Sequence, residues 1–520
     1  MDNECLTNKF SSLDKRIRSF AQGYRQNLAI LGDDSEEISY FLEHYLYSNK
    51  AEGLIYLRAS TIYAGKLEFF KATAFSLLSE YLQKTDTLDN LINQAGLELS
   101  STSNLIKDCL KKKNLSFLDV LEVINQFINE TGRSCLLIIE EFLKLAKLFD
   151  DFYPNFSKFI ILQRNCMIIL AASDARGAQK VLSGELNLLF ANFETIPLNR
   201  NNYLENYLYL KRLISPISPS PFFLSFFIKI LGSSMAYYDF MAQAIKDKYS
   251  AEDEDGSLIN ITQTTLYLAQ TYFFQKFIKK IDLLKANLKD FIPALKLLFA
   301  LSDGYLRRDE LNSLEIYDSK ELNSRLQKIG DLNYIENLGN IYKLKDPLFS
   351  FWLANIFKLY FLSPVSDPQR RELLCRKRLE EAVGLFREQF FTDKVKKVLQ
   401  LFSSFRNDHL LIGKNKYRLP TIRNTKTISY PKENFHIVIG EGPEIVFAGI
   451  KEKNVDDNDV LDFIEKGRSV KGKRVKKIFI SLDRLPSTAR LIAKNNKLIV
   501  WDVNEVNSLL NIYNKPAVSF

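Results

Sequence analysis

Over residues 1–200 short apolar runs alternate with amphipathic stretches. Asn27–Gly32, Gly53–Ala59, Ser134–Glu140, Asn165–Ala172 and Asn192–Leu198 read as strands. Ser35–Tyr47 has helical spacing, and a long helical region ends at Glu130. Runs such as SCLLIIE and NCMIILAA show no polar alternation, as strands buried on both faces of a parallel sheet require. Strand and helix in turn predict an α/β sheet covered by helices.

Asn201–Leu288 has helical periodicity rich in aromatic residues, broken by the acidic stretch Ser250–Gly256, which reads as an exposed loop. Phe291–Leu301, Arg308–Leu314 and Ser319–Ile329 then read as three helices, the last with Ser319 as candidate N-cap. Tyr334–Glu336 and Asn340–Leu344 read as two short strands, so this segment predicts a winged helix-turn-helix. After Ser363–Asp367 comes a basic helical segment, Arg370–Phe405. Strands at His436–Gly440, Ile445–Lys451, Lys477–Ser481 and Lys497–Trp501 follow, with helices at Asp457–Lys466 and Ser487–Lys494 between them. The divisions expected are 1–200, 201–289, 290–362 and 363–520.

Composition narrows this picture. The chain has 520 residues, enough for several domains and for cores that need no disulfide or metal. Its five cysteines form no C-x-x-C pair, and its three histidines stand at no metal-ligand spacing, which argues for a reducing, cytoplasmic setting. Met1–Arg16 lacks the apolar core of a signal peptide. Pro221–Gly232 is too short to span a bilayer, and Pro347–Val365 carries Lys358 at its centre, so no membrane partner is expected. A net charge of +9 permits binding to nucleic acid without requiring it.

Two segments identify a scaffold. Tyr342–Trp352 (YKLKDPLFSFW) resembles the Tyr-x-Leu-x-Asp-Pro-Leu…Phe-Trp segment of the archaeal-type P-loop ATPases of the STAND, AAA-like branch. Leu231–Tyr238 (LGSSMAYY) resembles that family's Gly-Gly-x-Pro-x-Tyr motif through Gly232 and Tyr237, with Ser233 and Met235 departing from it. The resemblance implies four parts: a P-loop core, a helical lid, a winged helix and a C-terminal α/β domain like the PD-(D/E)-x-K (restriction-endonuclease-like) nucleases.

Both implied sites are degenerate. A phosphate loop needs G-x-x-x-x-G-K-[ST], glycines letting backbone N–H groups wrap phosphate and the lysine neutralising it. Here the slot reads GDDSEEIS: Gly32 and Ser39 remain, Glu37 stands for the second glycine and Ile38 for the lysine. Asp33, Asp34, Glu36 and Glu37 would repel a triphosphate, whereas carboxylates suit an ordinary helix start. In Leu136–Phe142 (LLIIEEF), Glu140 takes the Mg²⁺-binding place and Glu141 the water-activating one, while Ser173 falls where the family has a sensor hydroxyl. In the nuclease-like segment Lys451 is the motif lysine, Gly449 stands where an acid belongs, and the upstream acid falls near His436.

The leading expectation is an ATPase-family protein with a degraded nucleotide site, a pseudoenzyme regulating through double-stranded DNA or a protein partner. No cofactor is expected on this reading. A divergent NTPase using ATP and Mg²⁺ through Glu140, Glu141 and Ser39, and an interaction scaffold without nucleic acid, are the alternatives. The DNA contacts expected are Lys320, Asn323, Arg325 and Lys328 on the third helix and Lys471, Lys473, Arg474, Lys476 and Lys477 before a late strand. Solvated surface explains the same residues.

Overall fold

The computed structural model describes the chain apart from residues 1–3, 33, 61–64, 188–192, 199–201, 363–366, 413–414, 469, 471–474, 484 and 519–520. Asp33, Lys471, Lys473 and Arg474 thus lie outside the described residues. The chain divides into two compact units, Met1–Arg200 and Asn201–Phe520.

In the first unit, β1 (Leu28–Gly32), β2 (Leu54–Ser60), β3 (Ser134–Glu140), β4 (Cys166–Ala172) and β5 (Glu194–Leu198) form a parallel sheet in the order β2-β3-β4-β1-β5. Every residue of β1 and β4 is buried, which accounts for the unbroken apolar runs. Helices Lys66–Leu82, Phe117–Thr131 and Phe152–Leu162 supply most of the packing. This helix-covered parallel sheet fits a P-loop NTPase core. The chain leaves β1 for the far edge and returns through β3 and β4, so the order reverses beside β1; ligands of open α/β sheets sit at the strand ends near such a point.

The second unit opens with helices Tyr203–Leu213, Pro221–Leu231, Met235–Lys248, Glu254–Leu266 and Tyr272–Asn287. Of the acidic stretch expected as a loop, residues 250–253 are an exposed link and the remainder starts a helix: Asp253 accepts from Gly256 N–H at 2.8 Å, and Glu254 and Asp255 occupy the favourable first turn. Helices Phe291–Ser302, Arg308–Asn312 and Ser319–Asp331 precede a hairpin of β6 (Ile335–Asn337) and β7 (Tyr342–Leu344). Asp318, not Ser319, holds the N-cap position of the third. Pro347–Trp352 continues through a π turn to Lys358–Leu362, and no helix among the described residues is long and apolar enough to cross a membrane.

Helices Pro368–Phe390 and Lys394–Phe402 lead to the hairpin β8 (Asp408–Ile412) and β9 (Asn415–Leu419). A mixed sheet follows, ordered β10 (Asn424–Tyr430), β11 (Phe435–Glu441), β12 (Ile445–Lys451), β13 (Val475–Ser481), β14 (Ile499–Trp501). β10–β11 and β11–β12 run antiparallel, whereas β12–β13 and β13–β14 run parallel. One face packs Ile437, Phe447 and Phe479 on Phe463 of the Asp457–Lys466 helix and on Ala489 and Ala493 of Ser487–Asn495. The other packs Val438, Ile450 and Ile480 with the Lys394–Phe402 and Val503–Ile512 helices.

Candidate functional site

The C-terminal ends of β1, β3 and β4 bring Gly32, Ser39, Glu140, Glu141 and Ser173 together. The helix after β1 begins at Ser35, and Asp34 caps it, accepting from Glu36 N–H at 2.8 Å and Glu37 N–H at 3.4 Å. A phosphate bound at a helix N-terminus would use such N–H groups, and here a carboxylate already holds two of them. Ile38 is only 2% exposed, and its Cγ1 lies 3.2 Å from where a Cβ on Gly32 would stand. The residue in the lysine place is thus folded back as part of the core.

The positions expected from the sequence to hold Mg²⁺ are engaged in a similar way. Ser39 Oγ donates directly to Glu140 Oε2, and Arg58 Nε donates to Glu140 Oε1. Arg58 Nη1 also reaches Glu43 at 2.8 Å. Burial alone would lower the Arg58 pKa; its hydrogen bonds to Glu140 and Glu43 outweigh this and leave it raised. An internal guanidinium therefore balances the buried Glu140, where a metal would otherwise supply positive charge. Glu141 sits in the left-handed region at φ +53° and accepts from Ser173 N–H at 2.9 Å, which fixes the exit of β4. Arg25 donates to the carbonyls of Gln163 and Cys166, where β4 begins, at the other end of the strands. Arg176 is exposed on the Ala175–Ser183 helix. Among the described residues no cluster of His, Cys, Asp or Glu is arranged to hold a metal ion. Asp34, Ile38, Ser39 and Glu140, as placed, are engaged within the chain rather than arranged for ATP–Mg²⁺. Arg58 was missed by the sequence reading, although a charge inside the apolar run GLIYLRA was its signal.

In the second unit the two scaffold segments meet. Tyr237 OH donates to Asp346 Oδ2 at 2.8 Å, and Lys280 Nζ lies 2.7 Å from the same oxygen. Burial would raise the Asp346 pKa, but Lys280, Phe349 N–H and Tyr237 together hold it below the usual carboxylate range. Gly232 has φ +66°, and a Cβ there would stand 2.8 Å from Pro347 Cγ, so the contact needs glycine.

Of the expected DNA contacts, Lys320, Asn323 and Lys328 are exposed on one helix, with Ser324 and Gln327 beside them. Arg325 is instead held by Asp290 at 2.9 Å and covers the Tyr317 ring. The β6–β7 turn is committed inside the unit: Leu411 N–H donates to Leu338 O at 3.0 Å, and Gly339 bridges Leu410. Lys343 Nζ reaches Asn511 Oδ1 at 3.0 Å. Beneath it Arg307 makes paired contacts of 2.8 Å to Asp408, which is 0% exposed and also accepts from Tyr513 OH at 2.6 Å. Lys476 turns inward to the Arg418 carbonyl, and Lys477 is half-buried.

At the end of β12, Lys451 pairs with Asp459 at 2.6 Å. The register sets Ile437, not His436, opposite Gly449, so Ile437, Gly449 and Lys451 share a face. A Cβ at Gly449 would stand 2.6 Å from Phe463 Cδ2, which leaves no room for an acid. His436 is engaged elsewhere, with Glu452 at 2.8 Å and Ser429 at 2.9 Å.

No family model and no curated protein matches the chain. Solved structures with some likeness include a Walker-type ATPase of Pyrococcus abyssi (14% identity, 66% of this chain and 94% of that one, TM-score 0.47). The ORC2 protein of Aeropyrum pernix, solved with ADPNP and ADP, covers 74% of this chain and 96% of its own at 10% identity and TM-score 0.40. The ORC1 protein of the same organism, solved with DNA, covers 68% and 93% at 10% identity and TM-score 0.36. Likenesses this distant assign no role to any residue.

Proposed function

We propose that this chain is a P-loop-ATPase-like protein whose nucleotide site is filled by its own side chains, and that it acts as a DNA-associated regulator. The observation that carries the reading is the closed group Asp34, Ile38, Ser39, Glu140 and Arg58. It satisfies the helix N-terminus, the lysine place and the buried carboxylate without nucleotide or metal. Helices Phe291–Ser302, Arg308–Asn312 and Ser319–Asp331 with the β6–β7 hairpin have the order of a winged helix. The exposed Lys320, Asn323 and Lys328 give its third helix a polar, basic face suited to duplex DNA. The β10–β14 domain resembles the nuclease-like fold, with Ile437 and Gly449 where acids would be needed, and serves here as a non-cleaving support for the hairpin.

Two measurements test this. Calorimetric titration with ATP and Mg²⁺ is expected to give no saturable heat; saturable binding overturns the closed-site reading and favours a divergent NTPase. Fluorescence anisotropy with duplex DNA across a salt series is expected to show binding that weakens steeply with salt. Lys320→Glu with Lys328→Glu should weaken it and reduce the salt slope by about 2. No duplex binding even at low salt removes the DNA role and leaves a protein-binding scaffold.

A further inference from the structure

The second unit contains a cavity of about 140 Å³ lined by its own residues. It lies between the start of the Tyr203–Leu213 helix, the Pro221–Leu231 helix, the end of the Pro368–Phe390 helix, and the Val503–Ile512 helix with the segment after it. Among the described residues that line it, the charged ones are Lys229 and Lys515, and none is acidic. Lys229 Nζ stands 5.3 Å from the Phe386 ring centre. Lys229 is part-buried, and an ammonium withdrawn from water ordinarily has a carboxylate to offset its desolvation. Here the charged group nearest in effect to Lys229 is Lys515, a second cation.

The polar wall adds an acceptor, which suits a hydroxyl on a ligand's organic part rather than its anionic head. Asn206 Nδ2 donates to Gly232 O at 3.0 Å, which fixes the amide's orientation, and its Oδ1 is buried with no donor. The rest of the wall mixes asparagine and serine with Tyr203, Ile228, Pro516 and Ala517 and with Phe386 and Phe390. Two unmatched cations, amide groups and an aromatic wall form the usual composition of a site for a small organic anion.

We propose that this cavity binds a small phosphate-bearing metabolite, its dianionic head between Lys229 and Lys515 and its organic part against Phe386 and Phe390. A cavity near this volume holds a benzene-sized body, so it takes the phosphate head and first carbons of a small ester, the remainder reaching its open side, and it excludes a nucleotide. Burial, with Lys515 adding to it, pulls the Lys229 ammonium down to about 8. A bound dianion favours the protonated lysine, so affinity should fall as pH rises past that value.

The test is calorimetry on the full chain with glycerol phosphate, inorganic phosphate and, as a monoanionic aromatic control, benzoate at matched ionic strength. Glycerol phosphate should bind saturably and more tightly than inorganic phosphate, and Lys229→Met or Lys515→Met should each weaken it at least tenfold. Without ligand, Lys229→Met should leave the thermal midpoint unchanged or raised, because it removes a part-buried charge that no acid offsets; loss of binding then cannot be ascribed to unfolding. Inorganic phosphate binding as well as the ester would reduce the site to a bare anion hole and overturn the metabolite assignment. No binding at millimolar ester, wild-type affinity in both variants, or equal binding of benzoate would each overturn the proposal.

Discussion

The ends of β3 and β12 make an instructive pair. Each ends on a charged group singled out in the sequence, and each has that group neutralised from within the chain. At β3 the group is an acid, Glu140, and its partner is Arg58 on the neighbouring strand. At β12 the group is a base, Lys451, and its partner is Asp459 on the following helix. They differ in depth. The Glu140 side chain is 5% exposed and needs its cation, whereas Asp459 is 18% exposed and can be partly hydrated. A retained motif residue is thus not evidence of retained chemistry, because a buried charge must be balanced whether or not a ligand does it.

The largest effect should come from forcing an acid back into the second site. Gly449→Asp puts a Cβ within 2.6 Å of the Phe463 ring and a carboxylate into an apolar face. Overpacking and burial of the charge together should cost about 4 kcal/mol. Urea unfolding checks this; a cost under ~1 kcal/mol, with Mg²⁺-dependent stabilisation, would mean that the introduced carboxylate and Lys451 can still assemble a metal site.

Next comes the first site. Arg58→Met leaves the buried Glu140 without its guanidinium, with the Ser39 hydroxyl still donating to it. The change should cost roughly 3 kcal/mol, reduced from the fully buried case because Arg58 is itself partly hydrated. Arg58→Met with Glu140→Met should recover most of the loss. If the single variant instead gains Mg²⁺-dependent ATP binding, the guanidinium is a plug rather than a permanent replacement for the metal.

The same contrast explains what could be read in advance. Strands β1–β4 were legible to within a residue or two, because strands buried on both faces are continuous apolar runs. β10 escaped notice because NTKTISY is almost wholly exposed, and its pairing with β11 is a backbone matter. The β8–β9 hairpin and the Val503–Ile512 helix were missed too. Ser39 and Glu140 were legible from the strand–turn–helix spacing. Arg58 showed only as a charge within an apolar run, and its partner could not be read because it lies 82 positions away. The acidic stretch was legible in part: residues 250–253 are the exposed link expected, while Glu254 and Asp255 are acids at a helix start.

The smallest effect belongs to Lys451, and it sharpens the comparison most. Lys451→Met removes the cation from Asp459, but Asp459 keeps a second task, accepting from Asp456 N–H at 2.9 Å in the capping box of the Asp457–Lys466 helix. A carboxylate at a helix N-terminus is stabilised by the helix itself and by water, so the loss should be about 1 kcal/mol in urea unfolding, well below that for Arg58→Met. Asp459→Asn with Lys451 intact leaves the more buried partner uncompensated and weakens the cap, and should cost about twice as much. Equal losses from the two single variants would mean that the pair is balanced by depth after all. The asymmetry between an acid that needs its arginine and a lysine that its helix can spare would then be gone.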